Sequence, residues 1–143
     1  MPFTQLQKQD YAFFANALTE STWSVVCFCA EWCGSCRNWF DAFKALSKKY
    51  PDVTFIWIDI EDHADLLDVL DIENFPSLLI QYGDIVNFFG PIHPDAKIAD
   101  RLLVKYQAYS QAERLKLASS QEMIQWQKIA NIKRLFHQAV STD

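Results

Sequence analysis

Four cysteines within ten residues are the side chains of this chain most able to do chemistry. The 143-residue sequence has 4 cysteines in all, at Cys27, Cys29, Cys33 and Cys36. A secreted domain held together by disulfides spreads its cysteines to join distant segments, so this clustering excludes that class. In a reducing compartment, such a cluster is either a metal site or a redox site.

A zinc or iron–sulfur site would use the same four sulfurs. Zinc needs ligands that converge on a tetrahedron, and its cysteines usually come as two separated pairs on turns. Cys27 and Cys29 instead lie in an apolar stretch, where alternate positions share one face of a strand. The pattern therefore favours a redox site, and we expect no bound metal.

Cys33 and Cys36 fall where a predicted strand ends and a long helix begins. Residues 24–30 are apolar and β-rich, and residues 34–50 repeat large apolar side chains at helical spacing until Pro51. The first turn of a helix has unpaired N–H groups and the positive end of the dipole, which stabilise a thiolate, the reactive form of cysteine. We predict that Cys33 is the exposed nucleophile, with Cys36 one turn inward and within reach of its sulfur.

The elements that must position these cysteines form a β-α-β unit followed by a hairpin and more helices. Further strands are predicted at 53–58, 77–82 and 85–89, a candidate first strand at 3–6, and helices at 9–18 and 62–70. Gly83-Asp84 predicts the tight turn of the hairpin. The chain reads as helical from Asp95 almost to its end, divided at Ser119, where Ser119-Ser-Gln-Glu122 predicts a capping box. This order predicts an α/β domain with a mixed sheet and helices on its faces.

The sequence around these cysteines resembles the thioredoxin family. Ala30-Glu31-Trp32-Cys33-Gly34-Ser35-Cys36 follows an apolar strand, Phe75-Pro76-Ser77 comes some forty residues later, and the likeness covers roughly residues 3–106. The resemblance implies the thioredoxin fold, a central mixed β-sheet flanked by helices. It also implies dithiol–disulfide exchange, in which Cys33 attacks a substrate disulfide and Cys36 resolves the mixed disulfide.

The resemblance also assigns residues that would bind the substrate. Pro76 matches the family's cis-proline, and the backbone of Phe75 would pair with the substrate chain as a strand does. Trp32 would cover the active sulfur, and Gly34 would permit a tight approach. Protein disulfides are then the expected substrates, a reductase is the expected electron donor, and no cofactor is expected.

Several positions depart from the family pattern and are candidate modulators of the redox chemistry. Cys27 stands where the family has a buried Asp that accepts the proton of the resolving thiol, and Trp57 replaces the Lys that partners it. Because the usual base is missing, we expect slower resolution by Cys36. Ser35 replaces a proline, which predicts an altered reduction potential. Cys29 replaces a bulky aromatic residue; Cys27 and Cys29 are either small buried apolar side chains or a second thiol pair that moves oxidation inward.

Charge and hydropathy limit the binding partners and the cellular compartment that we expect for this protein. The net charge of −5 opposes a dedicated nucleic-acid binder. The longest apolar runs are far shorter than the ~18 residues of a membrane span, so none is expected. The first residues lack a basic segment leading into an apolar stretch, so we expect no secretory signal and a cytoplasmic location.

The chain continues well past the end of the resemblance. We divide it into a thioredoxin-like domain, residues 1–106, and a helical extension, residues 107–143. An apolar stripe at helical spacing, which needs burial, runs along the extension through Trp126, Ile129, Ile132, Phe136 and Val140. The stripe would pack on the domain, form a homodimer or bind another partner.

Taken together, the sequence predicts an enzyme, a thiol–disulfide oxidoreductase that uses Cys33 and Cys36 and contributes to electron transport and cell redox homeostasis. The alternative is a redox-sensing interaction module with weak oxidoreductase activity, whose C-terminal helices bind a partner.

Overall fold

The structure, a computed structural model, describes residues 3–67 and 70–141. Its strands are β1 Phe3–Gln5, β2 Trp23–Cys29, β3 Val53–Asp59, β4 Ser77–Tyr82 and β5 Ile85–Pro91. Its helices are α1 Tyr11–Ala17, α2 Gly34–Lys49, α3 Ala96–Gln107, α4 Gln111–Ala118, α5 Gln121–Ile129 and α6 Ile132–Ser141. Among these residues, no helix is both long and apolar enough to cross a membrane.

The five strands form one mixed sheet in the order β1-β3-β2-β4-β5. β1, β3 and β2 run parallel, whereas β4 is antiparallel to β2 and β5 is antiparallel to β4. The predicted β-α-β unit is therefore β2-α2-β3, and the predicted hairpin is β4-β5. This is the mixed sheet with flanking helices that the sequence predicts.

The central strand β2 divides its side chains between the two faces of the sheet. Val26 and Phe28 belong to a core cluster that includes α1 and α6, whereas Cys27 and Cys29 belong to a second cluster that includes α2 and α3. This alternation is the two-residue period of a strand. It places both strand cysteines directly beneath the helix that carries Cys36.

The predicted helix at 62–70 is a turn in the residues that the structure describes. Residues 60–67 are turns, and Asp68 and Val69 lie outside the described residues. Leu66, Leu67 and Leu70 are buried, as their spacing suggests. The His63 ring bonds the carbonyl oxygen of Leu6 at 3.0 Å, and this contact fixes the turn against the end of β1.

The C-terminal region contains more helices than the sequence predicts. The helical stretch that begins after Asp95 is divided after α3, α4 and α5, rather than at Ser119 alone. Ser110 and Glu113 form a capping box that opens α4, whereas α5 is capped by Ser120. The predicted helix start is therefore displaced by one residue, from Ser119 to Ser120, and Ser120 acts as a simple N-cap rather than as part of a capping box. Serine and asparagine at such sites end one helix and begin another by bonding free backbone N–H groups.

The last helix packs on the sheet rather than away from it. Ile132 and Phe136 of α6 are fully buried, and the Phe136 ring stacks on Phe14 of α1 with centroids 5.5 Å apart. Trp126 and Ile129 of α5 are partly buried against the same cluster. These members of the apolar stripe are therefore covered by the chain itself, and the boundary at residue 106 stays a prediction.

Candidate active site

Cys33 lies at the start of α2 with its sulfur unpaired. It is the N-cap residue, in an extended conformation, and α2 begins at Gly34. Its N–H donates to the Ala30 carbonyl at 3.0 Å, and its own carbonyl accepts from the N–H of Arg37 at 3.2 Å. The thiol is free and half-buried. This position exposes the sulfur to the positive end of a 16-residue helix.

Cys36 is buried one turn into α2 and forms a disulfide with Cys29. The sequence predicts Cys33 and Cys36 as the exchanging pair, and the structure joins Cys36 to the end of β2 instead. Cys29 is the last residue of that strand and faces α2, with its Cα 5.7 Å from that of Cys36. That spacing lies within the ordinary range for bonded cysteines.

Cys27 lies behind this disulfide as a buried free thiol. Its Sγ is 3.6 Å from Cys29 Sγ and accepts a hydrogen bond from Trp39 Nε1 at 3.2 Å. Burial raises the pKa of Cys27 to about 12, although the Trp39 hydrogen bond lowers it in part. Cys27 therefore holds its proton and cannot serve as the base that the family's Asp would supply. Cys29 is bonded to Cys36 whereas Cys27 is free, so the two cysteines are not simply two small buried apolar side chains.

The predicted substrate-binding residues meet around Trp32. Its side chain is 60% exposed, and its ring contacts that of Phe75 edge-on with centroids 5.5 Å apart. The Phe75–Pro76 peptide bond is cis, as the resemblance implies, and Pro76 is buried. The ring contact brings the segment before β4 to the loop that carries Cys33. Gly34 is exposed on the other side of the cysteine.

The two remaining candidate modulators differ in their burial. Ser35 is exposed in the first turn of α2. Trp57 is buried on β3, directly beside Cys27 in the strand register, and its ring contacts Phe40 with centroids 4.8 Å apart. A cavity of about 450 Å³ lies between this tryptophan and Cys36. An aromatic ring thus occupies the place of the family's lysine, so no cation faces Cys27 from this strand position.

Sequence reasoning missed three residues that hold the site together. Trp39 donates to Cys27, and Glu61 accepts a hydrogen bond of 2.6 Å from the Trp32 ring nitrogen. Asp59 accepts from the backbone N–H groups of Glu31 and Glu61, both at 3.0 Å. Helical spacing places Trp39 three residues after Cys36, on its inward face. No sequence signal identifies Glu61 as the hydrogen-bond partner of Trp32, because it follows the end of a different strand.

The sulfur pairing also bears on the metal alternative. Cys29 and Cys36 are bonded to each other, so two of the four sulfurs are engaged. Within residues 3–67 and 70–141, no group of three or more His, Cys, Asp or Glu side chains is arranged to hold a metal ion.

Comparison with known sequences finds one family over most of the chain. The family model described as Thioredoxin matches residues 4–103. A thioredoxin of Ophiophagus hannah is 42% identical over 53 residues, and thioredoxin H5 of Oryza sativa is 33% identical over 73 residues. These matches cover 37% and 50% of this chain and 50% and 54% of the relatives. The chain thus spans about half the length of these curated relatives.

Comparison with solved structures covers more of the fold. The crystal structure of oxidized thioredoxin O1 from Arabidopsis thaliana has a TM-score of 0.61 at 25% identity, over 72% of this chain and 96% of that one. Oxidized thioredoxin O2 from the same plant has a TM-score of 0.60 at 26% identity, over 76% of this chain and 96% of that one. The similarity therefore includes nearly all of those proteins and leaves about a quarter of this chain unmatched.

Proposed function

The chain belongs to the thioredoxin family, and on that premise we propose that it is a thiol–disulfide oxidoreductase that reduces disulfides in other proteins. One observation carries the proposal. A free, half-buried cysteine caps the helix whose next turn holds a second cysteine already engaged in a disulfide. A nucleophile and a redox-active sulfur thus share the first turn of α2.

The chemistry begins at Cys33 in the reduced protein, after a dithiol reductant has converted the Cys29–Cys36 disulfide to two thiols. The Cys33 thiolate attacks a substrate disulfide, forming a mixed disulfide and releasing one substrate sulfur as a thiolate. Cys36 then attacks Cys33, which forms the Cys33–Cys36 bond and releases the second substrate sulfur. The substrate gains two electrons, and the cysteine pair loses two.

Trp32, Phe75 and Pro76 support the proposal that the substrate is an extended peptide. The exposed Trp32 ring, held by Glu61 and by the Phe75 ring, offers an apolar surface beside the nucleophile. The backbone around the cis-proline leads into β4, so a substrate chain lying there can pair as a short strand. Gly34 adds no side chain that would obstruct its approach.

The same proposal extends to the cellular role. We infer that a reductase returns the cysteines to the dithiol form, and that the protein acts in the cytoplasm in electron transport and redox homeostasis. Membership of the family supports the reductase and the redox role. The alternative, partner binding by the C-terminal stripe, is weakened because Ile132 and Phe136 are buried against the same chain.

Reduction of insulin by dithiothreitol, followed as turbidity, tests the activity. The wild-type chain should accelerate the reaction, whereas Cys33→Ser should fall to the rate without protein because the nucleophile is gone. In a separate incubation of the reduced protein with insulin and no dithiothreitol, Cys36→Ser should retain the first step and accumulate a mixed disulfide that mass spectrometry detects. Circular dichroism of each variant checks the fold. Equal rates for wild type and Cys33→Ser would refute the proposal.

A further inference from the structure

The disulfide of this protein is buried inside the domain. It joins Cys36 to Cys29 and not to Cys33, its predicted partner at the surface. Cys29 and Cys36 are each 1% exposed, whereas Cys33 is free and half-buried. Cys36 is thus the sulfur common to two pairings, the predicted one with the helix cap and the observed one with the end of β2. Both possible partners of Cys36 are cysteines of this chain, so exchange between the two pairings needs no other reactant.

A thiol adjacent to Cys29 can stabilise the charge that such an exchange places on its sulfur. Cys27 Sγ is 3.6 Å from Cys29 Sγ, and the Trp39 ring N–H donates to Cys27 from the other side. Because burial keeps Cys27 protonated, with its pKa raised to about 12, its S–H can be donated to Cys29. Cys27 is then a positioning residue that stabilises negative charge on the neighbouring sulfur.

Resting on the proposed function, we propose that Cys29 is a second resolving cysteine. After the substrate has been reduced, it displaces Cys33 from the Cys33–Cys36 disulfide. The Cys29 thiolate attacks Cys36 Sγ, the Cys29–Cys36 bond forms, and the Cys33–Cys36 bond breaks. The bonding electron pair leaves with Cys33. The proton that Cys29 loses is replaced on Cys33, so neither charge nor oxidation state changes overall. The oxidising equivalents came from the substrate disulfide.

This exchange makes Cys33 a modification site in the oxidised protein. With Cys36 bonded to Cys29, the half-buried Cys33 thiol remains available at the helix start. It can attack a low-molecular-weight disulfide such as glutathione disulfide, forming a mixed disulfide and releasing one glutathione thiolate. Because Cys36 is engaged, it cannot resolve that mixed disulfide.

Mapping disulfides in the full chain tests the inference without relying on the proposed activity. The reduced protein is oxidised with diamide, which joins thiols without a protein substrate. It is then labelled with iodoacetamide under native conditions, digested and analysed by mass spectrometry. We expect a Cys29–Cys36 link and a label on Cys33. In Cys29→Ala the link should move to Cys33–Cys36, and labelling of Cys33 should fall about tenfold, since the free thiol is then consumed.

Matched variants separate this inference from the function on which it rests. Cys27→Ser removes a neighbouring thiol but keeps both partners of the link, so it should retain the Cys29–Cys36 bond. Cys29→Ser provides a second test if the alanine variant does not fold. A wild-type map with Cys33 bonded to Cys36, or with Cys27 in the link, would overturn the inference. Insulin reduction by Cys29→Ala then reports separately on the proposed activity, which needs only Cys33 and Cys36.

Discussion

Cys27 holds its proton more tightly in the folded protein than it would in water. The thiol is fully buried beneath α2, and burial raises its pKa from 9.0 to about 12. A carboxylate at this position would need a buried partner, and Trp57 supplies no charge. A neutral thiol with one hydrogen bond from Trp39 therefore suits this apolar site better than a lone charge would.

The raised pKa predicts that the protein loses stability in alkaline solution. Below pH 9, Cys27 is protonated in both states; between about pH 9 and 12, the unfolded chain releases this proton and the folded chain keeps it. Since the folded state then binds more protons, the free energy of unfolding falls as pH rises, by about 1.4 kcal/mol per pH unit for this group. Urea unfolding of the reduced protein between pH 8 and 11 measures the slope.

The Cys27→Ala variant isolates the contribution of this thiol. The other titrating groups are the same in both proteins. The free energy of unfolding of the variant should therefore fall less steeply with pH, by up to about 1.4 kcal/mol per pH unit, the slope that one proton contributes. Its lower stability at neutral pH does not affect the slope. Parallel curves for the two proteins would contradict the assignment of the proton to Cys27.

The sequence predicts the positions of the site cysteines better than their bonding. The helix start at Gly34 follows from the apolar spacing after the Cys33-Gly34-Ser35-Cys36 segment, and the alternation of β2 places Cys29 on the side of α2. Alternation gives the face of a strand but not the distance to a helix above it. The Cys29–Cys36 bond depends on where α2 begins over the end of β2, which only the packed structure shows.

At the scale of elements, the β4–β5 hairpin depends on one glycine. Gly83 has a φ of +57°, and a Cβ added there would lie 2.5 Å from the carbonyl oxygen of Glu20. Its N–H donates to the Thr22 carbonyl at 3.1 Å. The turn therefore packs directly against the backbone that leads into β2, which leaves no room for a side chain.

Gly83→Ala should destabilise the fold by at least about 1 kcal/mol, because the backbone conformation and the contact with Glu20 both oppose a Cβ. Gly34→Ala is the matched control. An added Cβ there has 4.0 Å of clearance from its nearest neighbour, Arg37, so stability should be unchanged or slightly higher. Urea unfolding of both variants measures the difference, and equal stabilities would show that the turn relaxes freely.

The strands and α2 are more predictable than the C-terminal helices. β4 has the predicted bounds, and α2 differs from the predicted helix by one residue at its end. The breaks after α3 and α5 are harder to predict, because each is marked by one or two cap-forming residues within a long stretch of helix formers. The Asn131 side chain accepts the N–H of Arg134 at 3.1 Å in the first turn of α6, and the same oxygen accepts from the Gln81 amide of β4 at 2.8 Å, a contact that the sequence does not indicate.

At the scale of the whole molecule, α6 completes one of the two cores. Phe136 is fully buried between α1 and the sheet, and its ring also contacts Tyr11 with centroids 5.8 Å apart. The first helix and the last helix are thereby joined over the same face of the sheet. The extension is therefore a structural layer of the molecule.

Phe136→Ala should lower the free energy of unfolding by about 3–5 kcal/mol, the usual loss for a fully buried aromatic ring. Val140→Ala, on the same helix but 39% exposed, should change it by no more than about 0.5 kcal/mol. Chemical denaturation of both variants gives the comparison. A loss below about 1 kcal/mol for Phe136→Ala would indicate that α6 detaches without affecting the rest of the fold.

Gln127 of α5 bonds an outer strand as another strand would. Its side-chain amide accepts from the N–H of Val86 at 2.8 Å and donates to the carbonyl of the same residue at 2.6 Å. β5 is one border of the sheet, and the other border, β1, is only three residues long. Unpaired borders invite strands from other molecules, the first step towards amyloid-like stacking. By occupying the N–H and the carbonyl of Val86, the Gln127 side chain keeps a strand of another molecule from pairing there with β5, the longer of the two edge strands.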